Sequence, residues 1–182
     1  MVRKISLLSI MIHFHARIAL RAFIGIFALI GVCQVALSTE LVDSLEGQFK
    51  REGANRVNAR LFEKWDEEMV PVLKKASTCH PRYLNLIIKL KSTANTSTLQ
   101  AYTNTFQSAM QFCPASVLRA LQGKEVALVC SSADAADTFP TTPADVILKQ
   151  RIQKVRALKE INLKSKVRDC IAAYEEELNA VE

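Results

Sequence analysis

Residues 142–178 read TPADVILKQRIQKVRALKEINLKSKVRDCIAAYEEEL, and their apolar positions decide the fold class. Ile147, Leu148, Ile152, Val155, Leu158 and Ile161, then Val167, Cys170, Ile171, Tyr174 and Leu178, recur three or four apart, the period of an α-helix with one buried face. Thr142-Pro143-Ala144-Asp145 supplies the start: Thr142 as N-cap, proline in the first turn, and an acid where the helix dipole favours one. The spacing predicts a long C-terminal helix, bent near Asn162.

The same period recurs upstream. Leu61, Phe62, Trp65, Met69, Val72, Leu73 and Ala76 form one stripe, with Trp65 as a core anchor and Glu63, Lys64, Asp66, Glu67, Lys74 and Lys75 on the far side. Pro71 must kink that helix or begin a second piece of it. After Cys79-His80, Pro81 suits the first turn of a helix carrying Leu84, Ile87 and Ile88. Leu99, Tyr102, Phe106, Ala109, Met110 and Cys113 make the next stripe; Val117, Leu118 and Leu121 follow Pro114, with Gly123 as C-cap. Glu125–Cys130 fits a short helix or an extended segment equally well. No stretch sustains the two-residue alternation of a strand, and no repeat recurs. The expected fold is all-α, a small disulfide-stapled bundle of four to five helices with a long C-terminal one. Residues 39–57 are expected as a flexible N-terminal segment that frays or forms a loose helix, 58–182 as one helical domain. The Ser, Ala, Asp, Thr and Pro run of Ser131–Thr142 is expected as a mobile linker.

The first 38 residues have the zones of a secretory signal peptide. Arg3, Lys4, Arg17 and Arg21 are cationic, Ala22–Leu37 is apolar, and Ala36-Leu37-Ser38 ends in small residues before Thr39. A spanning anchor is the rival reading, since Ala22–Thr39 approaches the minimum membrane length, but Gly25, Gly31 and Gln34 dilute it. Met11 is an alternative start. Cleavage removes Cys33, His13 and His15, and leaves Cys79, Cys113, Cys130 and Cys170 in an oxidising compartment. Four cysteines allow three pairings. An antiparallel hairpin of the helices after Cys79 and before Cys113 favours Cys79 with Cys113, leaving Cys130 with Cys170.

The chain carries 24 Lys plus Arg against 18 Asp plus Glu, and without the four bases of the leader only 20 remain against those 18 acids. The surviving asymmetry is local. Lys149, Arg151, Lys154, Arg156, Lys159, Lys164, Lys166 and Arg168 face Glu160 alone, and Glu175-Glu176-Glu177 follows. Such a run is a solvated face or a docking stripe for an acidic partner. Its exposed cations Arg151, Lys154, Arg156 and Lys159 are the candidate partner contacts. With no aromatic between Lys149 and Arg168 there is nothing to stack on bases, so no nucleic acid is implied, and after cleavage no membrane. Asn95-Thr96-Ser97 is an acceptor sequon, making Asn95 a glycosylation candidate.

Catalytic residues are hard to assemble, and none is assigned. His80, the one histidine beyond the leader, sits between Cys79 and Pro81 with no nucleophile elbow or oxyanion loop. Gly47, Gly53 and Gly123 make no phosphate cradle, and Asp66, Glu67 and Glu68 read as a solvated acidic face. No two cysteines stand at a chelating spacing, so neither a metal nor a cofactor is implied.

Lys64-Trp65-Asp66-Glu67-Glu68-Met69-Val70-Pro71-Val72-Leu73 leading to Cys79, and Arg156-Ala157-Leu158-Lys159-Glu160-Ile161-Asn162-Leu163-Lys164-Ser165-Lys166-Val167-Arg168-Asp169-Cys170, resemble the anopheline mosquito salivary family that includes anophensin and albicin. The likeness runs from about Leu61 to Leu178 and takes in the four cysteines. It implies a non-enzymatic salivary inhibitor of host defence. Some members engage the C3 convertase of the alternative complement pathway; others bind factor XII or kallikrein components and suppress contact activation. The expected partner is thus a host plasma protein. A secreted helical carrier of a small hydrophobic ligand is the alternative, although the six-cysteine pattern of insect odorant-binding proteins is missing.

Overall fold

A computed structural model describes residues 40–131 and 142–181. The leader and the interior of the Ser131–Thr142 linker lie outside the described residues. Contacts divide the chain into Met1–Ser44 and Leu45–Glu182, and the second unit is the subject below. The described residues contain no strand and nine α-helical segments. None of their helices is long and apolar enough to cross a membrane.

Helix α1 covers 40–52, the helical one of the two readings of this stretch, and Leu45 is fully buried. Leu45 and Phe49 stand four apart, a pairing hidden by the polar residues between them. Gly53, at φ 81°, turns the chain into α2, Ala54–Glu63. A π-helical turn, Trp65–Met69, then precedes α3, Val70–Ser77. The amides of Glu68 and Met69 both donate to the Lys64 carbonyl, at 2.8 and 3.2 Å. This widened turn prepares for Pro71, which has no N–H to give and whose ring would collide with the carbonyl four residues back. The extra residue also shifts the register. Leu61, Met69, Val72 and Ala76 face the core, while Phe62 is 48% exposed and Trp65 only half-buried. Trp65 is therefore not the core anchor its spacing suggested.

The same turn carries Glu68 inward, to 8% exposure, against its expected place on a solvated face. Arg60 grips it with Nε and Nη2 at 2.6 and 3.0 Å, and Lys64 approaches at 3.2 Å. Burial works to raise the Glu68 carboxyl, but hydrogen bonds from Arg60 and Lys64, helped by their charges, outweigh it and hold the pKa below the ordinary value.

Helix α3 ends in a Schellman motif. The Cys79 amide donates to the Ala76 carbonyl and the His80 amide to that of Lys75, placing Cys79 at φ 64° where glycine is usual. Pro81 opens α4, Pro81–Leu90, behind the N-cap His80, as its sequence position predicts. Asn95 caps α5, Thr96–Ala109, and Cys113 precedes α6, Pro114–Ala120. Residues Glu125–Cys130 resolve as α7, with Gly123 at φ 49° in the turn before it. Helices α3 and α5 pack together, α4 lies against α2 and α3, and α7 touches both α5 and α9.

The C-terminal stripe is broken, not bent. Helix α8, Ala144–Arg156, stops at Ala157; a 3₁₀ turn, Ile161–Leu163, reverses the chain; and α9, Lys164–Val181, folds back on α8. The helix start slips by one residue, with Pro143 as N-cap in place of Thr142. Disulfides join Cys79 to Cys113 and Cys130 to Cys170, the pairing the hairpin argument favoured. Their sequence separations are 34 and 40 residues. In the disputed chain-entropy account, closing loops of this length is worth about 4 kcal/mol each. That is a large share of the ~5–15 kcal/mol net stability of a typical domain.

One buried polar network joins three parts of the bundle. Tyr102 Oη donates to Asn58 Oδ1 at 2.7 Å, while Asn58 Nδ2 donates to the Leu90 carbonyl and to Thr93 Oγ1, both at 2.9 Å. Burial pushes the Tyr102 phenol well up, so it stays a donor throughout the range in which the protein folds.

Three measurements check these points. Tyr102→Phe leaves Asn58 Oδ1 without its donor and is expected to cost about 1–3 kcal/mol in urea unfolding. The Glu68 contribution is fully present above the carboxyl's unfolded-state pKa and is lost as pH falls through the lowered folded-state value. Glu68→Gln should flatten the acid limb of the stability curve, and an unchanged limb would refute the assignment. With the first bridge removed, Cys79→Gly/Cys113→Ala should exceed Cys79→Ala/Cys113→Ala in stability by about 1 kcal/mol, because only glycine adopts the left-handed conformation freely.

Candidate docking surface

The four cations expected to form an open stripe have four different environments. Arg151 faces inward and is 1% exposed, so it is not a surface contact. It stands three residues before Lys154 and four after Ile147, on the face of α8 that also buries Leu148, Ile152 and Val155. Lys154 is exposed, but its Nζ donates to the Gln111 carbonyl at 2.6 Å. Arg156 pairs with Glu175 across the α8–α9 hairpin. Lys159 is exposed on the turn after α8.

Of the rest of the basic run, Lys164 is exposed and three cations are engaged. Lys149 pairs with Asp145, and Arg168 with Asp169. Lys166 Nζ donates to the carbonyls of Leu118 and Leu121 at 2.9 and 2.6 Å, and to that of Arg119 at 3.3 Å. These are groups that the end of α6 leaves without intrahelical donors, and a cation there also suits the helix dipole. Two cations of the stripe therefore tie helices together, Arg156 joining α8 to α9 and Lys166 joining α9 to α6, while Lys154 joins α8 to the turn after α5.

The turn between α8 and α9 offers a different surface. Ile161, expected on the buried face, is 91% exposed, while Leu163 takes the inward position at 1%. The 3₁₀ turn explains the exchange: its tighter period rotates Ile161 out and brings Leu163 under the bundle. Lys159 and Lys164, both exposed, flank this aliphatic knob in sequence. Beside it, Arg119 holds Glu160 through two hydrogen bonds at 2.8 and 3.0 Å. Those hydrogen bonds and the Arg119 charge lower the Glu160 carboxyl pKa. The turn is tied to α6, and its apolar tip lies among cations. In the sequence, Asn162 between two aliphatic residues marks the break; the heptad-like stripe concealed it.

A second apolar pair, exposed Phe62 and half-buried Trp65, lies where α2 gives way to the π-turn. Phe62 and Trp65 meet edge to face, with centroids 6.2 Å apart and planes at 82°. Asn95 is exposed, and its Oδ1 accepts the Thr98 amide at 2.9 Å. Capping uses the carbonyl oxygen of the amide, whereas a glycan attaches through the nitrogen, so the two roles are compatible. No three His, Cys, Asp or Glu side chains among the described residues group as a metal site would.

The chain matches no family model, no curated protein and no solved structure.

If Ile161 serves a partner and not the fold, Ile161→Ser should change unfolding free energy by less than about 0.5 kcal/mol. Leu163→Ala, two residues away, should cost about 2–5 kcal/mol. Comparable losses in the two variants would show that Ile161 is structural.

Proposed function

We propose that this chain is a secreted salivary inhibitor of host defence that works by binding, without chemistry, a plasma protein of the alternative complement pathway or the contact system. The observation that carries the reading is the Ile161 tip: an aliphatic knob held on a tied turn, flanked by Lys159 and Lys164, on a scaffold closed by two disulfides. A rigid body docks at a lower entropic cost than a mobile one, so the binding free energy of a few anchor residues is kept. The resemblance of the Lys64–Leu73 and Arg156–Cys170 segments to the anopheline salivary family supplies the partner class. Two disulfides support passage through an oxidising compartment.

Inhibition follows from occlusion in this reading. Ile161 enters an apolar pocket on the partner, Lys159 and Lys164 meet acidic groups around it, and the bulk of the bundle blocks assembly or substrate access. The carrier alternative asks for an enclosed apolar cavity. A half-enclosed one bounded by Leu99, Phe106, Leu121, Leu128 and Val129 holds about 70 Å³, and a groove of about 290 Å³ lined by Val70, Leu73, Ala101 and Thr105 lies open to solvent, so neither encloses a ligand.

Purified protein is expected to inhibit either alternative-pathway haemolysis or contact activation in human plasma at micromolar dose. Ile161→Asp combined with Lys159→Glu should weaken that inhibition by roughly 30-fold, the loss expected of a hot spot. Inactivity of the parent protein in both assays would overturn the proposal. Full activity of the double variant would move the contact surface elsewhere, with Phe62 and Trp65 the next residues to replace.

A further inference from the structure

The two disulfides stand in opposite surroundings. Cys130 and Cys170 are both 0% exposed, and their neighbours Val129 and Tyr174 are buried with them. Cys79 and Cys113 are only half-buried, and Thr78, His80 and Phe112 beside them are exposed. Exchange requires a thiolate to reach one sulfur of the bridge, so access decides which bridge reacts first. Charge acts in the same direction. Lys74 and Lys75, exposed in the last turn of α3 just before Cys79, attract an attacking thiolate and stabilise an expelled one.

The backbone adds a second bias. Cys79 sits at φ 64°, where its β-carbon crowds the following carbonyl, and cutting the bridge lets this turn relax. Accessible or strained bridges are the reducible kind. The place of the bridge gives its loss a local effect. Cys79 follows the end of α3 and Cys113 the end of α5, so the bond ties together two helix ends whose facing sides line an open groove of about 290 Å³. Leu73 and Ser77 line it from α3, and Ala101, Thr105 and Ser108 from α5, each set spaced as one helix face. Away from the bridge the helices have other ties. The Tyr102–Asn58 and Asn58–Leu90 hydrogen bonds join α5, α2 and α4 without any cysteine.

We propose that Cys79–Cys113 is a redox-sensitive clasp on the α3–α5 groove, opened by a dithiol reductant while Cys130–Cys170 stays closed and the chain stays folded. One thiolate of the reductant attacks a sulfur of the bridge, forming a mixed disulfide and expelling the other cysteine as a thiolate, which takes up a proton. The second thiol of the reductant, as thiolate, then attacks its own sulfur in the mixed disulfide and expels the remaining cysteine, which is protonated in turn. Two electrons pass to the bridge, and the dithiol leaves as a disulfide. The last turns of α3 and α5 are then free to part, which widens the groove at the end nearest Ser77 and Ser108. The buried bridge keeps α9 on α7 throughout. The clasp does not depend on which partner the Ile161 turn meets.

The test treats the oxidised protein with dithiothreitol at mildly alkaline pH without denaturant, quenches samples over time with iodoacetamide, and maps the alkylated cysteines by mass spectrometry. Cys79 and Cys113 should be labelled at least ~10-fold sooner than Cys130 and Cys170. Labelling of all four together, or of Cys130 and Cys170 first, would overturn the selectivity. The singly opened protein should keep its helical circular dichroism, and its amides should exchange faster in residues 74–80 and 108–113 but not in 164–181. Loss of the helical signal would show that the bridge holds the fold and is no clasp. Unchanged exchange around both cysteines would refute the opening of the groove. In a parallel sample left unalkylated, removing the dithiol and reoxidising should restore the parent's exchange rates, and failure to return would refute a reversible switch.

Discussion

Closure of α9 onto α7 by the Cys130–Cys170 bridge is the constraint on which the C-terminal half depends. Helix α8 and helix α9 meet along a face that includes a buried arginine, and a charged residue makes a poor contributor to hydrophobic adhesion. The covalent tie keeps α9 in register there, one turn from Tyr174. Lys166 adds a second tie through the carbonyls at the end of α6. The turn between α8 and α9 therefore hangs from three fixed points, including the Arg119–Glu160 pair. The N-terminal half has a matching device in Cys79–Cys113, backed by the Asn58 network.

Periodicity made the helical class readable, and it also located most of the core. Leu61, Val72, Leu84, Tyr102, Phe106, Leu118, Leu148 and Tyr174 are all buried where a period near 3.6 places them. It failed where the backbone changes its period. The π-turn before Pro71 rotates Trp65 to the edge and draws Glu68 inward, and the 3₁₀ turn at Ile161 exchanges that residue for Leu163. Each is a local departure from α geometry, invisible to a reading that assumes α geometry throughout. The disulfide pairing was legible because it needed only helix ends, which Pro81 and Pro114 mark.

Charge was harder to read than apolarity. A string of lysines and arginines looks the same in sequence whether the side chains meet solvent, a carboxylate, or a helix end. Lys154, Arg156 and Lys166 are each tied to a residue between 19 and 48 positions away, which no local pattern anticipates. Arg151 shares the spacing of Ile147 and Leu148 closely enough that the apolar face claims it. The stripe's chemistry is fixed by tertiary neighbours.

That internal use of charge has a kinetic side. Cations already matched to carboxylates and carbonyls project little field beyond the Debye length of about 8 Å in physiological salt. A partner docking at the Ile161 turn, as proposed above, would then be steered only by the exposed Lys159 and Lys164, so encounter would run little faster than the unsteered rate of about 10⁵–10⁶ M⁻¹s⁻¹ and depend modestly on ionic strength. Tight capture by such a surface has to come from slow release, that is, from residence time on the target and not from speed of arrival.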